Sequence, residues 1–179
     1  MNKINTIAAS FILLSSFFLG RAYAGNNSAE IDMTGTVISS SCNINTDDKN
    51  QVVHIGDFSS NLFKSVGDTS DTEEFVIRLS DCNADTSGAK VSFSGTPDDD
   101  NNQLVALSDT SSSGGMASGI GIEVLDEYRK TIPINTTSDE YILSETNGVL
   151  IFYLRYKATK IPVTPGNASS IMYFDIAYQ

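Results

Sequence analysis

The run Ile171-Met172-Tyr173-Phe174-Asp175-Ile176-Ala177-Tyr178 sits one residue from the C-terminus. Met172, Phe174, Ile176 and Tyr178 fall on one side of it, and Tyr173, Asp175 and Ala177 on the other. A period of two marks a strand with one buried face. The same beat recurs upstream. Glu74 to Leu79 brings Phe75, Ile77 and Leu79 to one face just before Cys82, and Ala29, Ile31, Met33, Gly35 and Val37 alternate with Glu30, Asp32, Thr34 and Thr36. Shorter apolar runs predict further strands at Val52–Ile55, Val91–Phe93, Leu104–Leu107, Ile120–Leu125, Ile132–Ile134 and Val149–Tyr156. Between them lie Ser87-Gly88, Pro97 to Asn102, Ser111 to Gly115, Asn147-Gly148 and Pro165-Gly166-Asn167, which is turn material. No stretch keeps an apolar period of 3.6. Many short strands at this spacing predict one all-β domain, a sandwich or barrel, over residues 25–179.

Composition narrows the function. The chain has 179 residues, 40% apolar, with 22 acidic and 11 basic residues and a net charge of −11. So acidic a chain lacks the basic stripe a nucleic-acid binder needs, and it would be repelled by anionic lipid. One His and two Cys exclude most zinc designs.

The N-terminus reads as an export signal. Lys3 supplies the positive start, Ile7 to Leu19 the apolar run, and Ala22-Tyr23-Ala24 the small residues of a cleavage site. The run is too short to span a bilayer as a helix, which takes roughly 20 residues. Cleavage after Ala24 is expected to leave residues 25–179 as an exported chain with no direct membrane insertion. An oxidising compartment favours a bridge between Cys42 and Cys82, the only two cysteines.

Other features have ordinary readings. His54 lies in a strand pattern and is read as structural. No nucleophile elbow or triad order accompanies it. Asp98-Asp99-Asp100-Asn101-Asn102 suggests calcium ligands, but Gln103 and Asp109 stand where a calcium loop needs Gly and Glu, so a solvated turn is expected. The Asn-x-Ser/Thr matches at Asn26, Asn135 and Asn167 are read as chance. Gly114 to Gly121 follow no nucleotide-binding spacing. Neither a catalytic group nor a cofactor or metal site is expected.

The order of several pieces resembles a known family. Gly35-Thr36-Val37-Ile38 precedes Cys42-Asn43-Ile44. Gly119-Ile120-Gly121-Ile122-Glu123-Val124-Leu125-Asp126 follows, then Leu154-Arg155-Tyr156-Lys157-Ala158-Thr159 and Val163-Thr164-Pro165-Gly166-Asn167-Ala168. Gly166 is fourteen residues from the end, and Tyr178 is penultimate. Together these resemble the structural subunits of type 1 fimbriae, the pilins of the chaperone–usher pathway.

That resemblance implies an incomplete immunoglobulin-like β-sandwich that lacks its last strand. It implies a signal peptide over 1–24, an N-terminal donor-strand extension over 25–38 and a pilin domain over 39–179. The implied donor residues are Ala29, Ile31, Met33, Gly35 and Val37. The implied chaperone and groove strand carries Gly166, Met172, Phe174, Ile176 and Tyr178. The implied partners are neighbouring pilin subunits, a periplasmic chaperone and an outer-membrane usher. The destination is a surface fimbria supporting adhesion. A glycan-binding tip adhesin would usually carry an extra N-terminal domain, for which this length leaves no room. Shaft subunit and minor tip adaptor are both compatible with these features.

Overall fold

Apolar alternation builds the sheets. A computed structural model of the chain describes residues 41–143 and 147–179. The strands are β1 (Asn43–Ile44), β2 (Glu73–Ser80), β3 (Gly88–Ser94), β4 (Ile120–Leu125), β5 (Tyr141–Ile142), β6 (Gly148–Ala158) and β7 (Tyr173–Tyr178). The helical content of the described residues is two three-residue 3-10 turns, Thr46–Asp48 and Ser60–Leu62. One sheet has the order β1-β2-β6-β4 and the other β5-β3-β7, and every named pairing is antiparallel.

The core lies between the sheets. β2 points Phe75, Ile77 and Leu79 inward, and β6 points Leu150, Phe152, Leu154, Tyr156 and Ala158. Their register sets Phe75 opposite Phe152 and Ile77 opposite Leu150. From the other sheet Phe93 completes an aromatic triangle, with ring centroids 5.9 Å from Phe75 and 4.9 Å from Phe152. Offset and edge-to-face contacts of this kind add to the area term. A Cys42–Cys82 disulfide, S–S 2.01 Å, joins the residue before β1 to the loop after β2.

β4 departs from simple alternation because all six of its residues are buried. Ile120, Ile122 and Val124 belong to the main core. Flanking loops close its outer edge and reach over its other face. Val105 exchanges backbone hydrogen bonds with Ile122, each 2.9 Å, and the Ile132 amide donates to the Val124 carbonyl. Leu104 packs so closely that a Cβ on Gly121 would sit 3.0 Å from the Leu104 Cβ.

That covered face encloses a carboxylate. Glu123 is fully buried, and its oxygens accept hydrogen bonds from Arg155 Nε at 2.6 Å, Lys157 Nζ at 2.8 Å and Thr131 Oγ1 at 2.8 Å. Arg155 is its cross-strand partner on β6. Burial pushes the carboxyl pKa up, but the bonds from Lys157, Arg155 and Thr131 outweigh it and hold the group below its ordinary value.

Several expected elements are corrected. Val52–Ile55 forms no strand: the chain there finds no ladder, and Val52 is fully exposed. His54 is accordingly an exposed loop residue and not part of a sheet. Of Leu104–Leu107 only Val105 makes isolated bridges, and Ile132–Ile134 is buried without becoming a named strand. Gly88 and Gly148, expected in turns, open β3 and β6. Residues 29–39 lie outside the described residues.

Two expected outcomes follow from this packing. Glu123→Ala leaves Arg155 and Lys157 without their shared partner, and breaking a buried pair costs about 3–5 kcal/mol, read as a lower urea midpoint at neutral pH. Because the folded pKa of Glu123 is lowered, its contribution is present above the ordinary carboxylate range and lost as pH falls through the folded value; the gap between wild type and variant should therefore narrow in acid. Cys42→Ser opens a loop closure of about 4 kcal/mol and should lower the recovered yield of folded protein sharply.

Candidate functional site

β7 alternates as expected, yet its inward side chains are only half-buried. Met172, just before the strand, and Phe174, Ile176 and Tyr178 within it are each partly exposed, whereas Tyr173, Asp175 and Ala177 face solvent. Phe93, opposite Phe174 on the neighbouring strand, is 1% exposed. The difference comes from position. Among the described residues β7 ends its sheet, pairing with β3 on one side and with no strand on the other.

Beside the start of that strand lies a cleft of about 1070 Å³. Phe75, Phe93, Ile122 and Leu154 form part of its floor. One lip is the stretch from Val163 to Phe174, and the other is the extended segment 52–58. In the second lip Val53 and Ile55 are half-buried while Val52 and His54 are exposed. The segment thus alternates in burial as a strand would, although no sheet uses it.

Tyr156 ties the two lips to the floor. Its hydroxyl donates to the Ala168 carbonyl at 2.7 Å, and its ring meets Phe58 edge-on at 6.1 Å. Burial pushes its pKa up, with Asp57 adding to the shift. At the strand's far end the Tyr178 hydroxyl donates to the Cys42 carbonyl at 3.3 Å. Burial raises the Tyr178 pKa, and the bond to Cys42 acts against that rise. The Gln179 amide donates to the Gly88 carbonyl at 2.8 Å, and the Ser87 amide to the Gln179 carbonyl at the same distance. The strand is fixed end to end, and its outer edge has no strand partner among the described residues.

Gly166 lies outside β7, in the first lip. There the chain crosses residues 115–118 at backbone contact. Ala117 donates to the Asn167 carbonyl at 2.9 Å and Asn167 to the Gly115 carbonyl at 2.8 Å. A Cβ on Gly166 would lie 2.5 Å from the Ala117 nitrogen, so only glycine fits.

The remaining candidates resolve into structure. Asp98 Oδ1 accepts the amides of Asp100 and Asn101, closing the expected turn. Asn135 binds both backbone groups of Gly95 through its side-chain amide, and Asn167 Nδ2 donates to Ser113 Oγ and the Gly114 carbonyl. Asn26 and the donor positions Ala29, Ile31, Met33, Gly35 and Val37 lie outside the described residues. Sequence reasoning missed the 52–58 lip and the role of Tyr156. The spacing of Val53, Ile55 and Phe58 was the available signal for the lip.

A family model described as fimbrial protein matches residues 31–179. The chain is 36% identical to an uncharacterized fimbrial-like protein, YcbU, of Escherichia coli K12, over 99% of both chains. It is 34% identical to long polar fimbria protein A of Salmonella typhimurium, covering 87% of this chain and 86% of that one. In architecture it is similar to the P pilus rod subunit PapA, with a TM-score of 0.64 at 21% identity, over 77% of this chain and 99% of the other. An all-β sandwich with an open edge, matched over nearly its whole length by these relatives, belongs to the fimbrial protein family.

Proposed function

We propose that the chain is a structural subunit of a bacterial surface fimbria and that it polymerises by donor-strand exchange. The observation that carries this is the open cleft at the start of β7, lined by Met172 and Phe174, with Ile176 and Tyr178 half-buried farther along the same strand. An extended segment laid against β7 would satisfy its edge by hydrogen bonding and bury those side chains, which is strand addition. Large apolar side chains contribute roughly 1.5–3 kcal/mol each on full burial.

The arm over 25–38 suits the role of donor. Ala29, Ile31, Met33 and Val37 alternate with polar residues, and Gly35 suits a place where the floor leaves no room. On this reading residues 1–24 are removed on export, residues 39–179 form the accepting body, and Gly166 to Tyr178 supply the accepting lip and strand. Each subunit gives its arm to one neighbour and accepts from another. Such a head-to-tail contact does not close on itself, so it yields a filament. Before assembly, an exposed apolar slot with a free edge invites aggregation. A periplasmic chaperone that fills it, and an outer-membrane usher that takes the subunit on, are the partners this chemistry calls for. The protein works as a structural element and catalyses no reaction.

Ile31→Asp tests the arm. It would set an unpaired carboxylate in an apolar cleft, which is strongly unfavourable. The expected result is normal recovery of monomer with its chaperone and loss of SDS-resistant polymer, while Glu30→Gln changes little. If Ile31→Asp destroys the monomer itself, the arm belongs to its own sandwich and the proposal fails.

A further inference from the structure

β7 is not the only strand with a free side. β1 pairs with β2 only at Leu79 and Ser80, so the outer edge of β2 from Glu73 to Arg78 has no strand ladder among the described residues. An open edge of this length is a template for a second extended chain. Beside it is space of about 410 Å³, bounded on the far side by Gln51 to His54.

Side chains hold this edge instead. After Asn45, whose amide donates to the Arg78 carbonyl at 2.9 Å, the chain leaves the sheet in the Thr46–Asp48 turn. Asp48 is 3% exposed, and its Oδ2 accepts the Arg78 amide at 2.7 Å while its Oδ1 pairs with the Arg78 guanidinium at 2.9 Å. Gln51 Nε2 then donates to the Val76 carbonyl at 2.7 Å and to the Asp48 carbonyl at 3.2 Å. An acceptor and a donor thus occupy the positions that a continuing strand would fill. The exposed Glu73 and Glu74 at the same edge would also repel Glu30 and Asp32 of an incoming arm.

We propose that Asp48 and Gln51 stand in for a strand on the β2 edge and so confine strand addition to β7. The inference rests on the reading above, that β7 accepts a strand from another copy. Asp48 and Gln51 act as specificity determinants: by ending the β1–β2 pairing they also turn the chain toward the cleft, where it becomes the second lip.

The test counts strands. The exported, disulfide-bonded chain is mixed with saturating peptide spelling residues 25–38, and native mass spectrometry reports the peptides bound per chain. Wild type is expected to bind one, and the double variant Asp48→Ala with Gln51→Ala to bind two. Asp48→Asn, which keeps an acceptor for the Arg78 amide, should return to one. If wild type binds one and the double variant also binds one, the edge proposal is overturned while strand uptake stands. If wild type binds none, the uptake reading itself fails. Should the double variant lose even the first peptide, Gln51→Ala alone decides in the same way, because it keeps the Asp48–Arg78 anchor.

Discussion

The rest of the structure depends on one constraint: the second sheet stops at β7, but the apolar face it contributes to the core does not. Each strand buries what its neighbours on both sides allow. Phe152, in a strand flanked by β2 and β4, is fully buried, and Phe93, between β7 and the loop whose Asn135 amide donates to its carbonyl, is nearly so. Phe174, with a strand partner on one side alone among the described residues, is left half-buried. On the proposed reading, the cleft is the place of the strand that would complete the sheet. Its apolar floor and the unpaired edge ask for the same thing, an extended segment with alternating apolar side chains, and residues 29–37 have that pattern.

Where the chain must leave a sheet, short acidic and amide side chains close the backbone. Asp48 does so at the end of β1. Asp126 accepts the amides of Tyr128 and Lys130 after β4, Asp109 those of Ser113 and Gly114, and Asp98 those of Asp100 and Asn101. Part of the acidic excess is thus a set of turn closures. Several of the few cations are committed as well: Arg155 and Lys157 to Glu123, Arg78 to Asp48 and Lys130 to Asp139.

Much of this was legible in the chain because its physics is local. β2, β3, β4, β6 and β7 lie where alternation or an apolar run placed them, and the two cysteines left a single pairing. Non-local partnerships were not legible. An apolar run reports burial but not a ladder, so Val52–Ile55, Leu104–Leu107 and Ile132–Ile134 read as strands although they serve as a lip and as covers for β4. Glu123 lies inside an apolar run, and its cations stand on β6, more than thirty residues away. Gly166 carried weight in sequence only through resemblance. Its physical reason, the crossing of two backbones, appears once residues 115–118 and 166–167 are seen together.

Hydrogen exchange along β7 tests the central claim most directly. Amides from Tyr173 to Tyr178 that do not bond to β3 should exchange quickly in the isolated subunit. They should become protected once the arm of another copy, or a peptide of residues 25–38, is bound, while the amides of β2 and β6 change little. Equal protection of β7 in the free and the bound states would mean that the edge is already satisfied, and would contradict the account.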